Sequence, residues 1–235
     1  MHTAYWPELT DQATHLSLTG QERDHAVKTK RLREGDRVLV FDARGTIATC
    51  SVTSASRSLE LEILSRTFTP RPETAIEICC PAPKSQRAST MIDLLSQCGA
   101  DAWRPLTTAF TEQHTTPARL ERLRRVASES LKQCRRAWML EFLDALSLDE
   151  ALRASGLVIL ADASGDRMST LERAPGGDIR VLIGPEGGWR EDELDLARQH
   201  GVPIVRFGEH VMRIETAACV SCAMVREWAS SRQNG

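Results

Sequence analysis

The sequence predicts an α/β protein in two parts, a β-rich domain over residues 1–72 and an α/β domain over residues 73–235. Three observations carry that expectation. Up to the Pro-rich stretch at Thr69–Pro72, apolar residues come in short runs separated by turn residues, a strand-and-hairpin pattern. From Thr74 the period changes, and short apolar runs alternate with helix-length amphipathic ones, as in a parallel sheet crossed by helices. Toward the C-terminus two glycine-bearing loops each follow an apolar run, Ile179–Ile183 before Gly184 and Pro203–Phe207 before Gly208. Loops at the carboxyl ends of neighbouring strands are where an open α/β sheet makes its ligand crevice.

Taken in order, Ser17 or Thr19 is placed to cap a short helix running to Arg31. Arg37–Asp42 reads as a strand, Ala43-Arg-Gly45 as a turn and Thr46–Thr53 as the hairpin partner. Leu59–Ser65 alternates as a half-buried strand, and Thr69-Pro-Arg-Pro72 is a stiff linker. Beyond it, Ala75–Cys80 is an apolar strand, Ala88–Cys98 an amphipathic helix closed by Gly99, and Ala102–Leu106 a strand. Thr116–Leu131 forms a long basic helix, Leu157–Leu160 a buried strand, and Ala217–Trp228 the last helix.

The first loop lies in Val181-Leu-Ile-Gly-Pro-Glu-Gly-Gly-Trp189. Gly184 and the Gly187-Gly188 pair allow positive φ and a close backbone approach to a ligand, while Pro185 fixes one φ and removes a donor. Trp189-Arg-Glu-Asp-Glu193 then opens a helix with acids in its first turn, where the dipole favours them. No Gly-Lys-Ser/Thr follows and GxGxxG spacing is absent, which excludes a P-loop and a dinucleotide fingerprint. The second loop is Phe207-Gly-Glu-His-Val-Met-Arg-Ile-Glu-Thr-Ala217.

At 235 residues, 41% hydrophobic and 26% charged, the chain suffices for one large domain or two smaller ones. No apolar run reaches the ~20 residues of a membrane helix, and the first residues lack the charged head and apolar core of a leader. A cytoplasmic protein with no membrane partner is expected. Seven irregularly spaced cysteines fit reduced thiols better than a disulfide framework. Cys219-Val-Ser-Cys222 lies inside the expected last helix, and nothing supplies two further zinc ligands; core packing is its reading, with no metal.

The formal charge of −2 is unevenly spread: +1 over residues 1–72, +3 over 73–136 and −6 over 137–235. Arg23, Lys28, Lys30, Arg31, Arg33 and Arg37 cluster in the first part; Arg119, Arg122, Arg124, Arg125, Lys132, Arg135 and Arg136 form a helix-spaced run in the second. Such faces either track phosphates or are simply solvated.

The two loops, in this order, resemble the RsmE family of SPOUT methyltransferases, whose last third reads approximately LLIGPEGG[FW]…E and then LG.RILR.ETA. Ile183-Gly-Pro-Glu-Gly-Gly-Trp189 matches outright, as do Gly208, Arg213 and Glu215-Thr-Ala217. Phe207, His210, Val211 and Met212 stand where Leu, a basic or polar residue, Ile and Leu are usual. More loosely, His25, Arg31-Leu-Arg33, Gly35-Asp36 and Phe41-Asp42 are similar to the family's amino-terminal domain. The resemblance implies a PUA-like β-barrel that binds RNA, followed by a SPOUT α/β domain with a C-terminal trefoil knot. It implies transfer of a methyl group from S-adenosyl-L-methionine to N3 of a uridine in 16S ribosomal RNA of the small subunit, by a homodimer that packs its C-terminal helices. The cofactor would be held by Leu160, Ala161 and Asp162, by Ile183, Gly184, Pro185, Glu186, Gly187 and Gly188, and by Phe207, Gly208, Val211, Met212, Ile214, Thr216 and Ala217.

The middle of the chain departs from that family. Lys84, Arg87 and Gly99 survive, but Met91–Cys98 replaces the usual EKATEL core. Lys132-Gln-Cys-Arg-Arg-Ala137 keeps Gln133, Cys134 and Arg136 but puts Arg135 where Gly is usual. These segments bear on the substrate face in the family. An altered target, or a knotted RNA-binding protein without transfer, are therefore the competing readings. RNA contacts are expected from Lys28, Arg31, Arg33, Lys84, Arg87, Arg122, Arg125 and Arg136.

Uracil N3–H is a weak acid, protonated at neutral pH, so it must lose or loosen its proton before N3 can attack a methyl group. Arg213 is the expected cation for the uridylate oxygens, with a salt bridge to Glu215 as its competing role. Glu215 and Glu186 are candidate proton acceptors, although either could instead cap its helix, and His210 is a further acceptor by its ordinary pKa.

Overall fold

A computed structural model of the chain describes residues 1–24, 26–27, 31–84, 86–111, 116–171 and 177–230. It divides into two compact units, Met1–Arg71 with Ser128–Met139, and Pro72–Ala127 with Leu140–Gly235.

The first unit holds a five-stranded sheet in the order β1 (His2–Tyr5), β3 (Arg37–Phe41), β4 (Thr46–Ala55), β5 (Leu59–Phe68) and β2 (His15–Leu18). The β3–β4 and β4–β5 pairs are antiparallel, and β1 runs parallel to β3. Every second residue points inward: Val38, Val40, Ala48, Cys50, Val52, Leu59 and Leu61 bury one core with Leu16 and Leu18. Strands β1 and β2, four residues each, are too short to announce themselves by alternation.

Ser17 is not a cap. It lies in β2, and its hydroxyl donates to Glu60 Oε1 at 2.7 Å. The helix that follows, α1 (Gly20–Asp24), is described for one turn, and Arg31 stands outside any helix at φ 55°. Nor does the first unit end at residue 72. Residues 128–139 join it because Leu131 packs with Phe41 and Ala43, and the Gly45 amide donates to the Ala137 carbonyl at 3.0 Å. The Trp138 indole donates to the Thr69 carbonyl at 2.8 Å and meets Phe68 edge-on.

The second unit holds a sheet whose main path is β12 (Ile204–Arg206), β10 (Leu157–Arg167), β11 (Ile179–Ile183), β6 (Ile76–Cys80), β7 (Ala102–Thr107) and β8 (Glu141–Phe142), with β9 (Leu146–Ser147) also on β7. All these pairs are parallel. The crossovers include α2 (Gln86–Cys98), α3 (Pro117–Cys134), α4 (Leu148–Leu152) and α5 (Glu191–Gln199). Helix α6 (Ile214–Ser230) packs on α2, β6 and β11. Its anchor is Arg226, which donates to the carbonyls of Thr74 at 2.8 Å and Gly99 at 2.7 Å and pairs with Asp101.

Across the sheet, Glu77 on β6 sits between Arg104 on β7 and Arg180 on β11. Burial alone would raise its carboxyl, but the two guanidiniums overcome that and hold it below the usual carboxylate range. Cys98 Sγ lies 3.2 Å from Cys219 Sγ, and Cys222 is fully buried. Burial, and then the Cys219 contact, push the Cys98 thiol up to about 12, so Cys98 packs as a neutral thiol. Among the described residues no group of His, Cys, Asp or Glu is arranged to hold a metal, and no helix is long and apolar enough to cross a membrane.

Candidate active site

A cavity of about 560 Å³ opens at the carboxyl edge of β10, β11 and β12. Each strand contributes a loop, and local sequence shapes each one. Strand β10 pairs with β12 up to Ala161 and resumes at Asp166, so the residues between swing out of register. Asp162 Oδ1 fixes this bulge by accepting from the Ser164 amide at 2.8 Å and hydroxyl at 2.6 Å. Gly165 lets the chain pass tightly over β12, because a Cβ there would lie 2.5 Å from the Ile204 carbonyl.

After β11, Pro185–Gly188 closes a turn in which the Gly188 amide donates to the Pro185 carbonyl at 2.9 Å, and Gly188 has φ 74°. Gly184 also leaves room for a neighbouring side chain. A Cβ on it would lie 3.1 Å from the Trp189 ring. Glu193 completes the start of α5: its Oε2 accepts from the Arg190 amide and its Oε1 from the Ala109 amide, both at 2.9 Å. After β12, residues 207–213 lead into α6, whose first turn is set by the Ala217 amide donating to the Arg213 carbonyl at 2.8 Å.

Most of the expected cofactor residues converge here. Ala161, Asp162, Ile183–Gly188, Phe207, Gly208, Val211, Met212, Ile214 and Ala217 all line the cavity, with Arg213 and His210 beside them. Of the expected cofactor and catalytic residues, three do not reach the wall. Leu160 is fully buried in the sheet core, because the strand alternation turns it away from the loop. Thr216 is exposed on α6, on neither the core nor the cavity side. Glu215 is only 12% exposed, its carboxylate turned toward Arg87 with Oε2 3.8 Å from Nη1. Arg213 therefore does not form the expected alternative salt bridge to Glu215. Its side chain is exposed and has no polar partner among the described residues.

The sequence reading missed Trp189, Ala163, Val205 and Arg206 as wall residues. Arg87, expected on the RNA face, also lines the cavity. The remaining basic residues differ in their local surroundings. Arg31, Arg33 and Lys84 are exposed, and Arg136 is partly buried. Arg122 donates to Gln86 Oε1 at 2.8 Å and Ser89 Oγ at 3.2 Å, Arg125 pairs with Glu121, and Lys132 is buried against Glu129. Lys28 and His25 lie outside the described residues.

Fold and site together define a parallel α/β protein with a ligand crevice at the carboxyl edge of its sheet, carried with a second, β-rich unit. A family model described as an RNA methyltransferase domain matches residues 70–226, and one described as an RNA methyltransferase PUA domain matches residues 18–64. The chain belongs to this RNA methyltransferase family. The ribosomal RNA small subunit methyltransferase E of Mycobacterium bovis is 29% identical over 234 residues, covering 94% of this chain and 89% of that protein. The protein of the same name from Bacillus subtilis is 26% identical, covering 91% of each chain. Among solved structures, ribosomal RNA small subunit methyltransferase E from Neisseria gonorrhoeae bound to S-adenosyl methionine superposes with a TM-score of 0.87 at 22% identity, over 97% of this chain and 98% of that one.

Proposed function

We propose that this protein is an S-adenosylmethionine-dependent methyltransferase acting on N3 of a uridine in 16S ribosomal RNA. The observation that carries the reading is the convergence of three strand-end loops on one cavity with Arg213 at its wall. The names of the relatives and the ligand in the Neisseria structure point the same way.

The cavity suits the cofactor. Its volume of about 560 Å³ falls within the range of small-molecule sites. Ile183, Val205, Phe207, Met212 and Ile214 offer apolar surface to a flat base, and Gly188, where a Cβ would meet nothing within 4 Å, leaves backbone accessible. When bound, the cofactor supplies an electrophilic methyl group, and the products are S-adenosylhomocysteine, N3-methyluridine and a proton. Arg213 stabilises the negative charge that gathers on O2 and O4 as the N3 proton leaves. Of the proton acceptors expected from the sequence, Glu186 and His210 stand on the wall. Glu215 acts from behind the wall.

In this reading the first unit is a PUA-like barrel that holds RNA through exposed residues such as Arg31 and Arg33, and the enzyme works in the cytoplasm. The second unit ends in a trefoil knot; the placement of β12 outside β10 and the return of α6 to α2 and β6 support that path. A homodimer through α6 is supported by an apolar patch that includes Met168, Ala223 and the 39%-exposed Met224. The test is to map modified nucleotides in ribosomal RNA from cells with and without the gene. Loss of one N3-methyluridine from 16S RNA is expected; an unchanged modification map would leave an RNA-binding protein without transfer.

A further inference from the structure

Arg87 is the second residue of α2, and its guanidinium forks between two acids on different elements. Nη2 donates to Glu186 Oε1 at 3.1 Å, and Nη1 lies 3.8 Å from Glu215 Oε2. Glu186 occupies the Pro185–Gly188 turn, and Glu215 the first turn of α6, two residues after Arg213. One side chain thus spans the loops that form two walls of the cavity. The two acids are not equivalent: Glu186 is 48% exposed, whereas Glu215 Oε2 is closed off from solvent and accepts no hydrogen bond. A carboxylate oxygen so placed depends on a nearby positive charge, and Arg87 provides it.

We infer that Arg87 is a positioning residue that latches the Glu186 turn to the start of α6, and so sets the width of the cavity and the placement of Arg213, rather than an RNA phosphate contact. The inference rests on the reading of this cavity as the S-adenosylmethionine site. Lysine cannot take over fully, because a single ammonium does not present a planar fork to two carboxylates.

The test compares wild type, Arg87→Met, Arg87→Lys, Glu215→Gln and the double variant Arg87→Met/Glu215→Gln, by calorimetry with S-adenosylmethionine and by thermal unfolding without it. Arg87→Met should weaken cofactor binding about tenfold and lower Tm, because it strands a buried carboxylate. The double variant should recover both toward the Glu215→Gln values, and Arg87→Lys should fall between wild type and Arg87→Met. Recovery is the outcome that a phosphate contact would not produce. Wild-type affinity and Tm in Arg87→Met, or a double variant no better than Arg87→Met, would overturn the latch. If wild type itself bound no cofactor, the cofactor reading would fail, and the latch would stand or fall on whether the double variant recovers Tm.

Discussion

Trp189 Nε1 donates a hydrogen bond to the Ala161 carbonyl oxygen at 2.9 Å, joining the loop after β11 to the bulge in β10. The indole also packs against Gly184, so one side chain braces two of the three loops around the cavity. Gly184→Val should push the ring out and reduce S-adenosylmethionine affinity by about tenfold or more, with helical circular dichroism retained. Trp189→Phe removes the donor together with part of the ring, costing about 1–3 kcal/mol of stability in urea unfolding. Unchanged affinity in Gly184→Val would mean that the loops are not braced in this way.

Arg213 is the residue most exposed to a decisive kinetic experiment. Arg213→Ala should leave cofactor affinity within a few-fold and reduce methyl transfer by about 10² or more, the scale for losing one preorganised charge stabiliser. Transfer at near wild-type rates would assign Arg213 a structural role.

Arg135 holds φ 58° directly after α3, and the Arg136 amide donates to the Leu131 carbonyl at 3.1 Å, which is a Schellman ending with a non-glycine residue at its left-handed position. Arg135→Gly should therefore stabilise the protein by about 1 kcal/mol in urea unfolding, since an L side chain pays roughly that for the left-handed conformation. A loss of stability would show that the Arg135 side chain contributes contacts outweighing the strain.

Glu77 ties stability to pH. Because its carboxyl titrates below the usual range when folded, its contribution is complete above the ordinary glutamate pKa and is lost as pH falls through that value toward the folded one. Urea midpoints should drop on acidification, and in Glu77→Gln the drop should be shallower. Identical pH profiles would place the acid sensitivity elsewhere.

Phosphate contacts can be read from salt dependence. Charge removal at Arg31 and Arg33 should reduce the slope of log affinity for 16S RNA against log salt by up to ~1 per lost contact. The same change at Arg122 and Arg125 should matter less, because those guanidiniums are engaged by Gln86, Ser89 and Glu121. Equal slopes in wild type and the Arg31/Arg33 variant would mean that RNA is held by other residues.

What was legible in the sequence was local. The strands and loops around residues 183–188 and 207–217 follow from neighbouring glycines, prolines and apolar runs, and the structure places nearly all of these loop residues around one cavity. What was illegible depended on distant partners. Arg87 reads as one more basic residue until the fold brings Glu186, 99 positions along the chain, within 3.1 Å. Trp189 looks like an ordinary helix-entry aromatic until its indole finds Ala161. The sequence likewise shows Leu157–Leu160 as apolar, but not that β10 runs on polar residues to Arg167 after its bulge. The helix expected to reach Arg31 does not include it, since Arg31 holds the left-handed φ of 55°, which no cap-like residue upstream announces.

Residues 128–139 complete a unit whose other residues end at Arg71, and that has a consequence for synthesis on the ribosome. A nascent chain that has just delivered its first 71 residues still lacks Leu131 against Phe41 and Trp138 against Thr69. Its five strands already hold the core from Ala4 to Leu61, but the second cluster around Phe41 stays open until the end of α3 and the turn beyond it have left the exit tunnel. No single cut separates two self-sufficient fragments, so the β-rich unit, although it comes first in the chain, cannot be the first part of the protein to finish folding without a portion of its successor.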